Sequence, residues 1–543
     1  MSIYKEFCEE IFDNEGKLTD FRIKYDENFN FGYDVVDRIA AEEPDKTALV
    51  WCNPEGEERI FSFAEIKKLS DKAVNVFRSY GIGKGDRVMT VLKRRYEYWY
   101  VIVALHKLGA VMVPVTHMLT EPDLEYRVKA ADIKAVVSVT DEEVCQRLIH
   151  VKASCSELEV LFSVKKSIDG FVDFEKEIEK ADDRIEREDV LAKDPMAIYF
   201  TSGTTGQPKG VVHDNTYPLA HMITAKYWQE AEDGGLHFTV AETGWAKTAW
   251  GKIYGQWLVG SAVMVFDFDT FDPRQIETVI NRYNVTTFCA PPTIYRYMVM
   301  KNISNLKGLK KAVTAGEALS TDVFRKFKEL TGLTLIEGYG QTETTLLLAN
   351  FDGKPEKTGS MGRPSPMYNI KAVKEDGTFA EAGETGEIVV LPKEDKKQIG
   401  VFAAYHENPD MYEYVWRDGI YHTGDSARVD EDGYFWFEGR VDDVIKTGGY
   451  RVGPFEIENI LAEHPAVAEC SVVGVPDPSR GQAIKAVVVL TEGNEPTRAL
   501  QKEIKEFCNR RLAEYKWVRI VEFVKELPKT ISGKTIKGKI RHS

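Results

Sequence analysis

Ten residues, Thr201-Ser-Gly-Thr-Thr-Gly-Gln-Pro-Lys-Gly210, constrain this chain more than any other stretch. They combine hydroxyl side chains with glycines at 203, 206 and 210 and a lysine at 209, directly after the apolar run Met196-Ala-Ile-Tyr-Phe200. That run reads as a short buried strand. Glycine lets the backbone turn and bring N–H groups close to a ligand, while Thr and Ser hydroxyls and Lys209 add donors, so a loop here suits a polyphosphate. A plain Gly/Ser/Thr linker is the competing reading. Against it stand Pro208, which stiffens the loop, and Gly210-Val-Val212, which continues as β-prone sequence. A P-loop NTPase is excluded, because that motif needs Ser or Thr directly after the lysine and here Gly210 follows Lys209.

The rest of the chain alternates between strand and helix patterns. Helices are expected at 34–41, 64–80, 96–108, 122–131, 141–150, 216–228 and 273–283, with strands at 47–51, 60–63, 87–92, 109–115, 135–139, 236–240, 259–268 and 286–290. The glycine turn Gly81-Ile-Gly-Lys-Gly-Asp86 precedes a strand instead of following one, so it is a helix end and not a dinucleotide loop. Residues 165–194 are charge-rich and predict an exposed crossover. From Glu375 to Leu391, E-D-G and E-A-G-E-T-G punctuation predicts a small antiparallel sheet. The fold class is therefore α/β, with α/β subdomains and a β-rich appendix in a large part (residues 1–441) and a small mobile α+β part (residues 442–543). At 543 residues the chain exceeds one core.

Composition narrows the partners. The net charge of −15, without a Lys/Arg block, makes nucleic acid and an anionic membrane surface poor candidates. Seven dispersed cysteines without zinc spacing, no long apolar span and an acidic N-terminus predict a cytoplasmic protein.

Three further motifs carry chemistry. Gly338-Tyr-Gly-Gln-Thr-Glu343 follows the apolar run Leu333–Ile336, which places its polar residues at a strand end where open α/β sheets bind ligands. Glu343 is the candidate for Mg²⁺, a hard cation that takes carboxylate and phosphate oxygens, and Thr342 is a donor for an α-phosphate. Tyr421-His-Thr-Gly-Asp425 and Arg440 supply a carboxylate, the usual acceptor for vicinal ribose hydroxyls, and a cation; the resemblance named next implies that Asp425 holds the ribose and that Arg440 meets the same sugar or its phosphate. Pro528-Lys-Thr-Ile-Ser-Gly-Lys534 ends the set. The role of Lys534 comes from the resemblance named next, which implies that this cation meets the α-phosphate and the attacking carboxylate as charge builds on the phosphoryl oxygens.

In this order the four motifs resemble the acyl-adenylate-forming (AMP-binding) superfamily, and the segment Thr243-Gly-Trp-Ala-Lys-Thr-Ala-Trp250 resembles its AMP-forming medium-chain acyl-CoA synthetases. The resemblance implies ATP with Mg²⁺, CoA as co-substrate, and an acyl-CoA product. It implies that Thr201, Ser202, Gly203, Thr204, Thr205, Gly206 and Lys209 hold phosphates. Gly316, Glu317, Ala318, Glu337, Gly338 and Tyr339 would line the adenine, with Gln341 beside Thr342. Trp245, Lys247, Trp250, Cys289 and Gly340 would line the acyl pocket, where glycine at 340 leaves room for a short to medium, branched or cyclic, acid. Asp442 would be the hinge, bringing Gly448, Gly449, Tyr450 and Arg451 to CoA, with Arg451 also meeting phosphate. Thr535-Ile-Lys537 departs from relatives that carry Ile and then Arg after the lysine. No carrier domain follows, so free CoA is expected as acceptor; a standalone adenylation enzyme loading a carrier protein is the alternative.

Overall fold

The computed structural model describes residues 2–201, 207–317, 319–351, 357–393, 398–448, 450–530 and 535–541. Ser202 to Gly206, Ala318, Gly449 and Lys534 lie outside the described residues.

Hydrophobic runs flanked by amphipathic helices produce two large, mostly parallel sheets. One has eight strands, running from the edge Ala404–Tyr405 through Lys209–Asp214, Pro195–Thr201, Val111–Pro114, Arg87–Val91, Ile133–Ser138 and Val160–Ser163 to Val172–Asp173. Its central strands read as near-continuous Val, Met and Ala because helices cover both faces. The other has nine strands, with Leu335–Tyr339, Lys311–Thr314, Thr287–Ala290, Leu236–Thr239 and Ala262–Phe266 in its middle and Thr47–Cys52 and Glu58–Ser62 at one edge. A four-stranded antiparallel sheet (Asn369–Val373, Thr385–Leu391, Tyr421–Val429, Phe435–Arg440) is the expected β-rich appendix.

Local sequence explains the helix ends. Helix Phe63–Ser79 opens on a capping box in which the Ser62 hydroxyl accepts from the Glu65 N–H at 3.2 Å and Glu65 accepts from the Ser62 N–H at 2.8 Å. Helix Glu97–Leu108 is buried along its whole length and stops at Gly109, whose φ of +70° costs a glycine little.

The C-terminal part is smaller and builds its own core, including Ile445, Ile457, Val472, Ile484, Ile504 and Cys508. Long strands Val467–Asp477 and Gly481–Leu490 pair antiparallel there, and helix Arg498–Asn509 covers them. The molecule is thus mixed α/β, a large N-terminal part followed by a smaller C-terminal one.

Three expectations need correction. Residues 165–194 are not simply an exposed crossover: they contain helix Phe174–Lys180, whose Phe174 and Ile178, four residues apart, are buried. The strand expected at 333–336 is Leu335–Tyr339, so Glu337, Gly338 and Tyr339 lie inside it and not beyond its end. The helix expected at 216–228 is α-helical at Tyr217–Ile223 and widens to a π-turn at Thr224–Trp228.

Candidate active site

The strand leading into the phosphate loop and the strand leaving it are antiparallel neighbours, with Thr201 opposite Lys209. The two strands are thus paired at the sheet's end, and Lys209 begins the return strand. Side chains at 209 and 213 share one face of that strand, and both reach the same dipeptide. The Lys209 ammonium lies 3.0 Å from Glu343 Oε1. His213 Nε2 donates to the Thr342 carbonyl at 2.8 Å. Tyr405 completes the group, accepting from Lys209 at 2.6 Å and donating to Glu343 Oε1 at 2.8 Å. The Phe402 N–H holds the Glu343 carbonyl at 2.8 Å. Burial works to raise the Glu343 pKa, but the ammonium and the two hydrogen bonds to the carboxylate outweigh it and hold the group below its ordinary range.

A second knot forms around Asp425, on strand Tyr421–Val429 of the antiparallel sheet. Its Oδ2 accepts from Tyr339 Oη and from Gln341 Nε2, each at 2.6 Å, and its Oδ1 pairs with Arg440 at 3.1 Å. Gln341 also donates to the Thr423 carbonyl at 2.9 Å and accepts from Tyr421 at 2.8 Å. The structure thus brings Tyr339, Gln341, Asp425 and Arg440 together, and the chain segment 339–343 ties this knot to the Lys209–Glu343 knot.

On the other side of Leu335–Tyr339, Gly316 adopts a φ of +102° that favours glycine, and Glu317 accepts from the Thr293 hydroxyl at 2.8 Å. The Oε2 of Glu337 is buried with no hydrogen-bond partner among the described residues, and burial pushes that carboxyl up to about 8. Glu337 lines a small cavity with Leu319, Leu335, Asn350, Ser360 and Tyr434.

Among the tryptophans between 228 and 257, the structure separates roles. Trp257 is fully buried and donates to the Ala48 carbonyl at 3.0 Å, as a core residue does. Trp250 packs directly on the Gly338–Glu343 segment. A Cβ on Gly340 would lie 2.4 Å from Trp250 Cη2 and 2.4 Å from the Thr345 carbonyl oxygen. The room expected beside Gly340 is therefore filled by the Trp250 indole, because glycine removes the only atom that would hold it off. Gly338 does the same for Trp228, whose indole lies 2.7 Å from its would-be Cβ. Two buried amides, Gln229 and Gln256, donate to the Trp250 carbonyl at 3.0 and 3.1 Å and fix its backbone. Lys247 donates to the Ala315 carbonyl, next to Gly316, and Trp245 is half-buried in the bend before helix Lys247–Gly251. Cys289 is buried and its thiol is pushed up by that burial.

With this geometry in place, comparison with known proteins is decisive. The AMP-binding enzyme family profile matches residues 36–393, and that of the AMP-binding enzyme C-terminal domain matches residues 456–534. The chain belongs to the AMP-binding enzyme family. It is 38% identical over 541 residues to human acyl-coenzyme A synthetase ACSM3, mitochondrial, covering 97% of this chain and 92% of that protein. Human acyl-coenzyme A synthetase ACSM5, mitochondrial, is 39% identical over 527 residues, covering 95% and 90%. Among solved structures, the anthranilate CoA ligase AuaEII in complex with anthranoyl-AMP superposes with a TM-score of 0.85 at 28% identity, covering 95% of this chain and 98% of that one. A Brucella canis acyl-CoA synthetase gives 0.72 at 28% identity, covering 95% and 94%.

The described C-terminal candidates lie in a turn and a short hairpin. Asp442 lies in the single 3₁₀ turn Val441–Asp443, and its carbonyl accepts from Arg541 at 3.1 Å. Gly448 has a φ of +59°, and Tyr450 is exposed and stacked on Tyr515 with centroids 4.5 Å apart. Arg451 lies in the short strand Tyr450–Val452. Sequence reading missed Tyr405 and His213. His213 was within reach, since it stands four residues after Lys209 on a β-prone run. Tyr405 was not, because 62 residues separate it from Glu343.

Proposed function

We propose that this AMP-binding family member is an AMP-forming acyl-CoA synthetase that activates a short- to medium-chain carboxylic acid, branched or cyclic acids included, within fatty-acid metabolism. The observation that carries the reading is the continuity of segment 339–343: one stretch of chain meets the phosphate-loop lysine, the Asp425–Arg440 pair and the Trp250 wall. In the first step a carboxylate oxygen of the acid attacks the α-phosphorus of ATP and pyrophosphate leaves. In the second, the CoA thiolate attacks the acyl carbon and AMP leaves. Lys209 and the loop donors bind phosphate, Thr342 donates to the α-phosphate, and Lys534 brings the two anions together. Asp425 and Arg440 face the ribose, and the unpaired Glu337 oxygen borders the adenine cavity.

Glu343 fits a Mg²⁺ ion: it is a buried oxygen donor kept ionised by Lys209, and one carboxylate plus substrate phosphates is a usual Mg²⁺ arrangement. When bound, the ion neutralises charge on the phosphates. Rotation of residues 442–543 about Asp442 would exchange Lys534 for Gly448, Gly449, Tyr450 and Arg451 between steps. A cytoplasmic location completes the proposal. Seven unpaired cysteines support a reducing compartment, and no described helix is long and apolar enough to cross a membrane. The relatives named above are mitochondrial, so fluorescence of a tagged chain against organelle markers tests this part.

The test of activity is a panel of carboxylic acids with ATP, Mg²⁺ and CoA, read as AMP and thioester. Thioester on free CoA supports the proposal. AMP release with acyl transfer only to a carrier protein would replace it by the standalone adenylation reading, and ADP release would refute both.

A further inference from the structure

Tyr405 lies outside every motif that the sequence offers, yet it touches both charged residues at the phosphate end of the site. It belongs to the edge strand Ala404–Tyr405, which pairs antiparallel with Lys209–Asp214 and sets Tyr405 opposite Val211. Backbone bonds on each side fix that place: the Ala403 N–H donates to the Val212 carbonyl and the His406 N–H to the Gly210 carbonyl, both at 2.7 Å. Its ring is buried against Phe402, with centroids 4.6 Å apart.

Chemistry fixes the direction of its hydroxyl proton. An ammonium has donors and no acceptor, so Lys209 at 2.6 Å must give its hydrogen bond to the phenol oxygen. The phenol proton then points the other way, to Glu343 Oε1 at 2.8 Å. One side chain thus accepts from the cation and donates to the anion. The ammonium also lies 4.2 Å from the ring centroid, where the aromatic face attracts it.

We infer that Tyr405 is a positioning residue for adenylation, holding the Glu343 carboxylate in one orientation for the metal ion that accompanies ATP and holding Lys209 beside it. The inference rests on the adenylation reading. Its physical basis is freedom of rotation. The terminal torsion of a glutamate is broad, and a lysine carries four flexible methylenes, so a mutual ion pair fixes neither group well. A hydroxyl on a ring locked by packing and by two backbone bonds supplies the missing constraint. Partners that orient a metal-binding carboxylate in this way typically contribute about 10- to 100-fold to metal affinity or activity.

Tyr405→Phe removes one oxygen and keeps the ring. The probe is Mn²⁺, titrated into enzyme plus ATP without acid, with free Mn²⁺ followed by its paramagnetic resonance signal. Mn²⁺ affinity is expected to fall about 10-fold or more, and the Mg²⁺ concentration that half-saturates acid-dependent pyrophosphate–ATP exchange to rise by a comparable factor. The same substitution made in a Glu343→Gln background should leave Mn²⁺ affinity where Glu343→Gln alone puts it. Unchanged Mn²⁺ affinity in Tyr405→Phe, or an equal fold-loss in both backgrounds, would overturn the inference in favour of simple packing. Wild-type enzyme without acid-dependent exchange for any acid would instead sink the adenylation reading itself.

Discussion

Trp250→Leu should shift acid preference toward longer chains. The indole fills the space that Gly340 leaves, packs edge-on against Trp228 at 6.3 Å between centroids, and lies 6.0 Å from His221. Leucine removes six heavy atoms from that wall while still filling part of it, so stability should fall by less than the about 3–5 kcal/mol expected of alanine at a buried tryptophan. The space released takes about two further methylenes, each worth about 0.8 kcal/mol on burial. Their sum, about 1.6 kcal/mol, corresponds to roughly 15-fold in relative kcat/KM. The assay is kcat/KM for straight-chain acids from acetate to octanoate by AMP release, with hexanoate over butyrate as the diagnostic ratio. Gly340→Trp, by contrast, should inactivate the enzyme toward every acid, because even a Cβ there would lie 2.4 Å from the Thr345 carbonyl oxygen and from the Trp250 indole. A ratio unmoved in Trp250→Leu, with all acids slowed alike, would show that the indole is only core filling and that the acyl pocket lies elsewhere.

Three other outcomes follow from the arrangement. Lys534→Ala should abolish acyl-adenylate formation yet still convert supplied acyl-AMP and CoA to thioester, and acetylation of Lys534 should do the same by removing its charge; stopped-flow rates for each half-reaction check this. Asp442→Pro fixes φ in the Val441–Asp443 turn and should preserve adenylation while slowing thioester formation from acyl-AMP, measured by the same assays. Glu337 carries a folded-state pKa raised by burial from 4.5 to about 8, so its contribution to stability is full below the lower value and is lost as the pH rises through the higher one. Glu337→Gln should therefore flatten the fall in melting temperature across that window, which differential scanning calorimetry reads directly.

Much of this was legible because the sequence states it locally. The phosphate hairpin announces itself through an apolar run, glycines and a return strand, and the structure pairs Thr201 with Lys209 as that pattern requires. Helix Phe63–Ser79 and strand Arg87–Val91 lie within a residue of where periodicity puts them. What failed depended on tertiary contact. Phe174 and Ile178 look negligible within a charged stretch, yet two apolar residues at helical spacing suffice to dock about two turns of helix. Glu337 is polar and so seemed to end the strand, whereas its backbone continues the ladder to Tyr339 because a neighbouring strand pairs with it. The space beside Gly340 was read as open, since a sequence shows that a side chain is missing and not what moves into the gap. Tyr405 and Glu343 meet only through the pairing of edge strands, which no local pattern encodes.

The most direct test of acyl-adenylate chemistry follows an oxygen atom. With acid labelled by ¹⁸O in both carboxylate oxygens, plus ATP, Mg²⁺ and free CoA, the attacking oxygen becomes the bridge to phosphorus and departs with AMP when the thiolate attacks carbon. Mass spectrometry should then find one ¹⁸O in each AMP formed and none in pyrophosphate. Unlabelled AMP, or label appearing in inorganic phosphate, would contradict the account.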